Sequence, residues 1–352
     1  MPEAPRISIV IPTYNAAAHL AATTESVRAQ TFAGWELVLF DDGSSDTTVS
    51  LAEELARNDE RIRVVRGGHY GVAGARNRGF QETSPGPEFV AFLDHDDVWE
   101  PIALELLVNA LDLHPECPAA YGLPRSINSQ GERVEGDDLP ERMRQRRAIL
   151  DGQYVDIPIS VPTSFEAELV MNYVVTPGAS LIRRQVFESL GGFAAAAVPA
   201  DDWDMNLRIA RRGGFTFVNH VILNWRRHPG AFSYISKRNR RARLAVWQRT
   251  IQSEENTPPQ RQAAWSALYG DLRSLRAAIG QSLGRRQVWA AAKTLVLMSL
   301  YYRLVAGLFL TSRVRGVKSV RQLTGQLFRR RQDRAALVGR SRGASGISRT
   351  SY

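Results

Sequence analysis

The chain has 352 residues, a mass of 39.2 kDa, a hydrophobic share of 44%, one cysteine (Cys117) and a formal net charge of +9. Its length allows about two domains of about 150 residues each. The hydrophobic share excludes wholesale disorder, and the lone cysteine excludes a disulfide scaffold or a multi-cysteine zinc site. The charge is unevenly spread: up to Gly230 there are 21 Lys and Arg against 32 Asp and Glu, and beyond it 24 against 4. An acidic front part therefore carries a very basic C-terminal segment. No secretory leader is expected, because Met1–Arg6 is Pro-rich and Ile7–Ile11 is too short for an apolar leader core.

The front half alternates strand-like and helix-like segments. The apolar run Ile7–Ile11, closed by Pro12, predicts a buried strand. Residues 16–29 predict a helix with Asn15 as its N-cap. Trp35–Phe40 reads as a second strand, followed by Asp41-Asp42-Gly43-Ser44-Ser45-Asp46 and a helix over 47–57. A third strand is expected at 61–65, a glycine-rich loop at 67–74, a helix at 73–81 and a fourth strand at 89–93. This alternation predicts an α/β fold with a mostly parallel sheet covered on both faces. Ligands of such sheets bind at the carboxyl ends of the strands, where the polar clusters of this chain fall. Further on, the pattern predicts a helix at 102–113, a long loop or insertion at 126–171, strands at 179–183, 215–218 and 221–225, and a helix at 201–212. After Gly230 the texture is helical and arginine-rich.

Four clusters and one histidine can carry chemistry. Asp94-His95-Asp96-Asp97 puts three carboxylates in four residues directly after an apolar strand. Such crowding raises carboxyl pKa values unless a cation relieves it, and a hard divalent ion shared with phosphate oxygens would do so; a solvated acidic turn is the plainer alternative. Asp41 can accept from a base or ribose, or simply belong to a helix-capping turn. Gly71–Gly79 is neither a dinucleotide fingerprint nor a phosphate-binding P-loop, but its small residues permit close approach and Arg76 can face a nucleotide. Asp201 and Asp202 open a predicted helix, where the dipole favours ionised carboxylates and an ionised Asp can act as a general base. His228 can meet a metal or a diphosphate.

Taken in order, these pieces resemble the family 2 glycosyltransferases of GT-A fold. The resemblance runs from about Ile7 to Ser233 and rests on Val10–Asn15, Asp41–Asp46, Ala75-Arg76-Asn77, Leu93–Asp97, Leu190–Phe193, Asp201–Asp204 and Arg226–His228. It implies a Rossmann-like nucleotide-binding sheet with helices on both faces, plus a basic helical C-terminal extension. It implies donor contacts by Pro12, Thr13, Tyr14, Asn15, Asp41, Arg76 and Asp94. It further implies Mn²⁺ or Mg²⁺ held by Asp96, Asp94 and His228, Asp202 as catalytic base, and Asp201 and Trp203 on the acceptor side. Asp201 stands where the family usually carries Glu, and His69 and Tyr70 stand where it usually carries Asn. The implied reaction is a direct, inverting displacement of a nucleotide from its sugar, with a UDP-sugar as the expected donor. The Gln-x-x-Arg-Trp motif of the processive members does not occur between Val221 and Trp247, which points to limited sugar transfers.

The expected organisation is a catalytic domain over 1–233, a basic helical region over 234–332 and a disordered tail over 333–352. Within the second, residues 294–312 are the most apolar stretch, with Arg303 near the middle. A span would send the 40 basic-rich residues that follow away from the cytoplasm, against the positive-inside tendency. The reading is therefore a helix lying on an anionic membrane surface, on the cytoplasmic face. The expected acceptor is a glycan or lipid-linked glycan of cell-surface polysaccharide synthesis, with no nucleic-acid partner. Two alternatives are a nucleotidyltransferase, which would want a glycine-rich basic loop after the first strand, and a nucleic-acid binder using the basic tail, which would want interleaved aromatics.

Overall fold

The computed structural model describes residues 4–228, 236–284 and 299, all within one compact unit, Met1–Ala306. The first half follows the expected alternation: β1 (Ile7–Thr13), α1 (Leu20–Arg28), β2 (Trp35–Asp41), α2 (Thr48–Arg57), β3 (Ile62–Arg66), α3 (Gly71–Gln81) and β4 (Phe89–Phe92). Then come β5 (Val98–Trp99), α4 (Ala103–Leu113), β6 (Ala119–Ile127), α5 (Leu139–Arg144), β7 (Arg147–Leu150), β8 (Gln153–Asp156) and α6 (Phe165–Glu168). The chain continues through β9 (Ser180–Arg183), α7 (Arg184–Ser189), α8 (Asp201–Ala210), β10 (Phe215–Arg226), α9 (Ser236–Gln252) and α10 (Pro258–Gly284).

Eight strands form one sheet in the order β3-β2-β1-β4-β9-β6-β10-β5. The β1, β2, β3 and β4 ladders are parallel, as is β6 with β10; β9 runs antiparallel to both β4 and β6, and β5 antiparallel to β10. The sheet is thus parallel in its first half and mixed in its second. Every residue of β1 is buried, as expected of a strand covered on both faces. Ile7, Ile9 and Ile11 belong to the same core as Leu20, Leu55 and Leu107 of α1, α2 and α4. Val10 points the other way and lies against Gly79 of α3, as the period of two demands. The chain leaves β1 toward β2 and β3 and returns on its other side as β4. That reversal opens a crevice at the carboxyl ends of β1, β2 and β4.

Several expectations shift for local physical reasons. Asn15 does not cap α1, which starts at Leu20 after His19. Asn15 instead has φ 49°, and its side-chain oxygen accepts from the Ser45 N–H at 2.9 Å, tying the loop after β1 to the loop after β2. Half of the expected glycine-rich loop is the first turn of α3, whose Tyr70 and Gly71 N–H groups are held by the Asp42 carboxylate at 2.7 and 2.8 Å. The stretch 126–171 is not one loop. It contains the end of β6, the helices α5 and α6, and a β7–β8 hairpin turning at Asp151 (φ 48°) and Gly152 (φ 75°), the residue pair that such turns favour. The two strands expected at 215–218 and 221–225 are one, β10, interrupted by an irregularity opposite Leu123 and Pro124 of β6.

Two signature segments lock together beside the crevice. Asn77 of α3 donates to the Phe193 carbonyl at 2.9 Å and accepts from the Phe193 N–H at 2.8 Å. Gly192 has φ +81°, and a Cβ there would lie 2.4 Å from Asn77 Oδ1; Gly191 has φ +70° but open space around it. Gly191→Ala should therefore cost about 1 kcal/mol, the backbone penalty alone. Gly192→Ala should cost more, about 2–3 kcal/mol in total, because it also breaks the Asn77 clamp. Thermal denaturation of both variants measures the difference, and equal losses would contradict the clamp.

Candidate active site

The crevice is lined by residues that end β1, β2 and β4 and begin α3 and α8. Thr13 closes β1, and its hydroxyl donates to Asp41 at 3.4 Å. Asp41 is buried; it accepts from the Gly43 and Ser44 N–H groups at 3.1 and 3.0 Å and from the Ser44 hydroxyl. Tyr14 is 51% exposed at the rim, with its ring edge-on to His69 and the two centroids 5.7 Å apart. His69 also covers Gly43, where a Cβ would meet its ring at 2.8 Å. The Pro12 carbonyl lies 3.3 Å from His95 Nδ1. Pro12, Thr13, Tyr14, Asn15 and Asp41, expected on the donor side, thus gather at one end of the sheet.

Arg76 is the centre of charge. Its guanidinium, buried in α3, donates to Asp94 at 2.5 Å and to Asp201 at 2.7 Å and lies 5.1 Å from the centre of the Phe193 ring. Burial opposes the charge of Arg76, but Asp94 and Asp201 outweigh it and hold the group cationic. Asp201 is buried and its carboxyl is pushed upward by that burial, with Arg76 pulling it back down. The ion pair changes two expectations. Asp201 is buried and commits one carboxylate oxygen to Arg76, a partner that the resemblance did not imply for it. Asp94 stands against Arg76 and not beside Asp96 and His228.

Asp96 and His228 do come together, Oδ2 to Nε2 at 2.9 Å. Arg226 secures the loop between them by donating its backbone N–H to Asp97 at 2.9 Å and its Nε to the Asp96 carbonyl at 2.7 Å. Asp97 is buried with one oxygen lacking a partner among the described residues, and burial, with Asp96 and Asp94 nearby, pushes its carboxyl well up. A carboxylate oxygen and an imidazole nitrogen converging at this crevice suit Mn²⁺ or Mg²⁺ by donor type. Among the described residues no third His, Cys, Asp or Glu completes a set. The described residues offer two donors, which fits an ion whose remaining positions are taken by phosphate oxygens and water.

Asp202 follows Asp201 on α8 and faces a different environment. One oxygen accepts from the Trp203 N–H at 2.7 Å and the other from the Asn172 side-chain amide at 3.3 Å. Asn206 donates to Asn172 Oδ1 at 2.9 Å and to the Val174 carbonyl at 3.0 Å, which sets the Asn172 amide so that its NH₂ faces Asp202. Neither of these partners is a cation. Burial, aided by neighbouring Asp201, pushes the Asp202 carboxyl up to about 7. Sequence reasoning misses Asn172 and Asn206; an isolated Asn in an irregular stretch carries no spacing signal, although Asn206 lies one turn from Asp202. Trp203 is only 6% exposed and donates its indole N–H to the Glu168 carbonyl at 2.9 Å while packing edge-on against Trp247. It therefore braces α8 against α6 and α9 and presents no surface to an acceptor.

The family described as Glycosyl transferase family 2 matches residues 8–191, more than half of the chain. The chain belongs to this family. UDP-Glc:alpha-D-GlcNAc-diphosphoundecaprenol beta-1,3-glucosyltransferase WfgD of Escherichia coli is 40% identical over 124 residues, which is 35% of this chain and 47% of that protein. Chondroitin synthase of Escherichia coli is 24% identical over 226 residues, 62% of this chain and 29% of that protein. The matched stretch is thus less than half the length of either relative. Among solved structures, S. aureus TarS 1-349 in complex with UDP-GlcNAc superposes with a TM-score of 0.56 at 17% identity, covering 74% of this chain and 70% of that one. The mannosyltransferase PcManGT from Pyrobaculum calidifontis, in complex with GDP-Man and Mn²⁺, gives 0.54 at 18% identity, covering 85% and 87%. At these identities the likeness is one of fold, and the fold is the GT-A sheet of this family.

Replacing Arg76 by Met should leave Asp94 and Asp201 facing each other across a buried space without a cation. The expected loss is about 3–5 kcal/mol, typical of breaking a buried ion pair. Urea denaturation of Arg76→Met against the wild type measures it. A loss below about 1 kcal/mol, the scale of an exposed pair, would mean that Arg76 is not the bracket between the two acids.

Proposed function

We propose that this protein transfers a sugar from a nucleotide-sugar donor, a UDP-sugar, to a hydroxyl of a glycan or lipid-linked acceptor, with inversion at the anomeric carbon. The observation that carries the proposal is the separation of roles among neighbouring acids. Asp94 and Asp201 share the charge of Arg76, Asp96 meets His228, and Asp202, with no cation among its described hydrogen-bond partners, is pushed by burial to about 7. A carboxyl of pKa near 7 in a crevice is suited to take a proton at physiological pH. Family membership, the nucleotide-sugar named with the TarS structure and the lipid-linked glycan named for WfgD support the same reading.

In this mechanism Thr13, Tyr14, Asn15 and Asp41 receive the base and ribose, at the strand ends where nucleotides of such sheets lie. Asp96 and His228 would hold Mn²⁺ or Mg²⁺, which when bound neutralises charge on the departing diphosphate. Asp202 accepts the proton of the acceptor hydroxyl. That oxygen forms its bond to the anomeric carbon as the bond to the diphosphate breaks, and the nucleoside diphosphate leaves with the electron pair. Asn172 holds Asp202 in the orientation this requires, and Arg76 keeps the adjacent Asp201 from competing as a base.

The same reading puts the enzyme on an anionic membrane surface, cytoplasmic side, through the basic residues after Gly230. The stretch 294–312 lies outside the described residues, apart from position 299. No described helix is long and apolar enough to cross a membrane.

Two measurements on Asp202 test the assignment. The wild-type transfer rate should fall about tenfold per pH unit below about pH 7, and Asp202→Asn should lose at least ~10²-fold of transfer while still binding the donor. The stability effect runs the other way. The folded-state pKa of Asp202 lies above its ordinary 3.8, so the fold loses stability as pH rises through that interval, by on the order of a few kcal/mol once pH exceeds about 7. Asp202→Asn should therefore be more stable than the wild type at about pH 8 and roughly equal to it at about pH 4. Near-normal turnover by Asp202→Asn would sink the assignment.

A further inference from the structure

A cleft of about 360 Å³ opens between the ends of α7, α8 and α9, lined among others by Ser189, Asp204, Arg208, Arg211, Arg249 and Glu255. It is not part of the sugar-transfer crevice. Asp204, Arg208 and Arg211 follow one another at spacings of four and three and so share a face of α8 and its last turn. Asp202 is roughly 200° around the helix from Asp204 at about 100° per residue, on the opposite side.

The arginines here are held in place but not fully used. Asp204 is 3% exposed and accepts from Arg208 at 2.9 Å and from Arg249 at 2.7 Å, one arginine on each oxygen. Arg208 spends its remaining nitrogens on the carbonyls of Leu190 and Gly192. Arg249 is different: only its Nε is engaged, its two terminal nitrogens meet no acceptor among the described residues, and its side chain is 43% exposed. Arg211 donates to Asn256 at 2.8 Å and to the Thr250 carbonyl at 3.3 Å, with one terminal nitrogen left over among the described residues. The Glu255 carboxylate is bonded to Arg212 at the exposed rim. Two guanidinium groups, those of Arg208 and Arg249, thus share one buried carboxylate, and a third, that of Arg211, lines the same cleft without bonding it. Burial pushes Arg211 down to about 10, against the pull of Glu255 and Asp204 and with a smaller push from Arg208 and Arg212. Asp204 and Glu255 answer part of this positive charge, and the terminal nitrogens of Arg249 remain open to a further anion.

We propose that this cleft is a second binding site, for a phosphoryl anion, distinct from the sugar-transfer centre. The free fork of Arg249 presents two parallel N–H donors, the geometry that recognises phosphate bidentately. Asp204 fixes that fork from behind, so little side-chain freedom is lost on binding. The volume lies within the range of small-ligand sites and exceeds the needs of one phosphate, which favours a diphosphate or a phosphate carrying an organic group. The source is either a soluble phosphoryl anion or the headgroup of a phospholipid. Such a site would exist whether or not the crevice transfers sugar.

The test uses the full chain with divalent ions removed, so that the Asp96–His228 pair does not recruit phosphate through a metal. Titration calorimetry with pyrophosphate and with inorganic phosphate at low salt should give saturable binding at one site. Arg249→Ala should weaken it at least about tenfold, the loss of a bidentate charged contact. Glu255→Gln, which removes a negative charge at the rim and leaves every arginine in place, should tighten it a few-fold, and Asp96→Asn should leave it unchanged. In a second arm, vesicles of phosphatidylcholine with and without phosphatidylglycerol are floated with each protein. Arg249-dependent recruitment to the anionic vesicles without binding of the free anions identifies the headgroup as the source. The proposal is overturned if pyrophosphate binds equally to the wild type, Arg249→Ala and Glu255→Gln, or if neither the free anions nor the vesicles show dependence on Arg249 or Glu255.

Discussion

The rest of the site depends on one buried guanidinium. Arg76 reaches from α3 to Asp94 after β4 and to Asp201 at the start of α8, and so joins the parallel half of the sheet to the helix that carries Asp202. Two carboxylates that would otherwise repel are held close by one cation between them, and the desolvation of all three is offset only while all three are present. The Asn77–Phe193 clamp sits one residue further along α3 and positions the ring against which Arg76 lies. The end of β4 and the start of α8 are therefore set by the same bracket.

That bracket also explains how so many acids coexist. The crevice concentrates Asp41, Asp42, Asp94, Asp96, Asp97, Asp201 and Asp202, yet their charges are answered in different ways. Asp41 and Asp42 are met by backbone N–H groups, as capping carboxylates are. Asp94 and Asp201 share Arg76, and Asp96 meets His228. Asp202 is stabilised by one backbone N–H and one amide, so burial is left to dominate its pKa. Asp202 is thus set apart from Asp94, Asp96 and Asp201 by having no charged hydrogen-bond partner among the described residues.

The parallel half of this fold is legible in the amino-acid sequence. Strands β1 to β4 and their helices come from short apolar runs separated by amphipathic stretches, a pattern with few competing readings. The acids at strand ends stand out because charge directly after a buried strand lies at a sheet's ligand edge. The second half is harder to read for identifiable reasons. β6 contains Gly122 and Pro124, which argue against a central strand. Gly122 is there because Ile222 packs where its Cβ would be, and Pro124 is accommodated at a ladder irregularity with β10. The β7–β8 hairpin carries its Asp-Gly turn but has strands of only four residues, one of them wholly exposed. For Asp94, Asp201 and Trp203 the structure shows partners that the resemblance did not imply, Arg76 for the two acids and the Glu168 carbonyl for the indole: spacing shows which acids are adjacent in sequence, not which cation each one finds. Asn172 has no signature at all, since its role arises from Asn206 orienting it.

The helix α8 draws these threads together because its two faces answer different demands. Its first turn gathers acids at the positive end of the helix dipole, and Asp202 points from there toward the crevice. The opposite face carries Asp204 and Arg208, and with Arg211 and Arg249 it ties the helix to α9, while Trp203 against Trp247 adds apolar contact. Arginines from both the acidic front and the basic C-terminal part thus fix α8 from the side opposite Asp202. A group bound to that cationic face would load the same helix that carries Asp202, because α8 and α9 are tied through Asp204, Arg211 and Trp203.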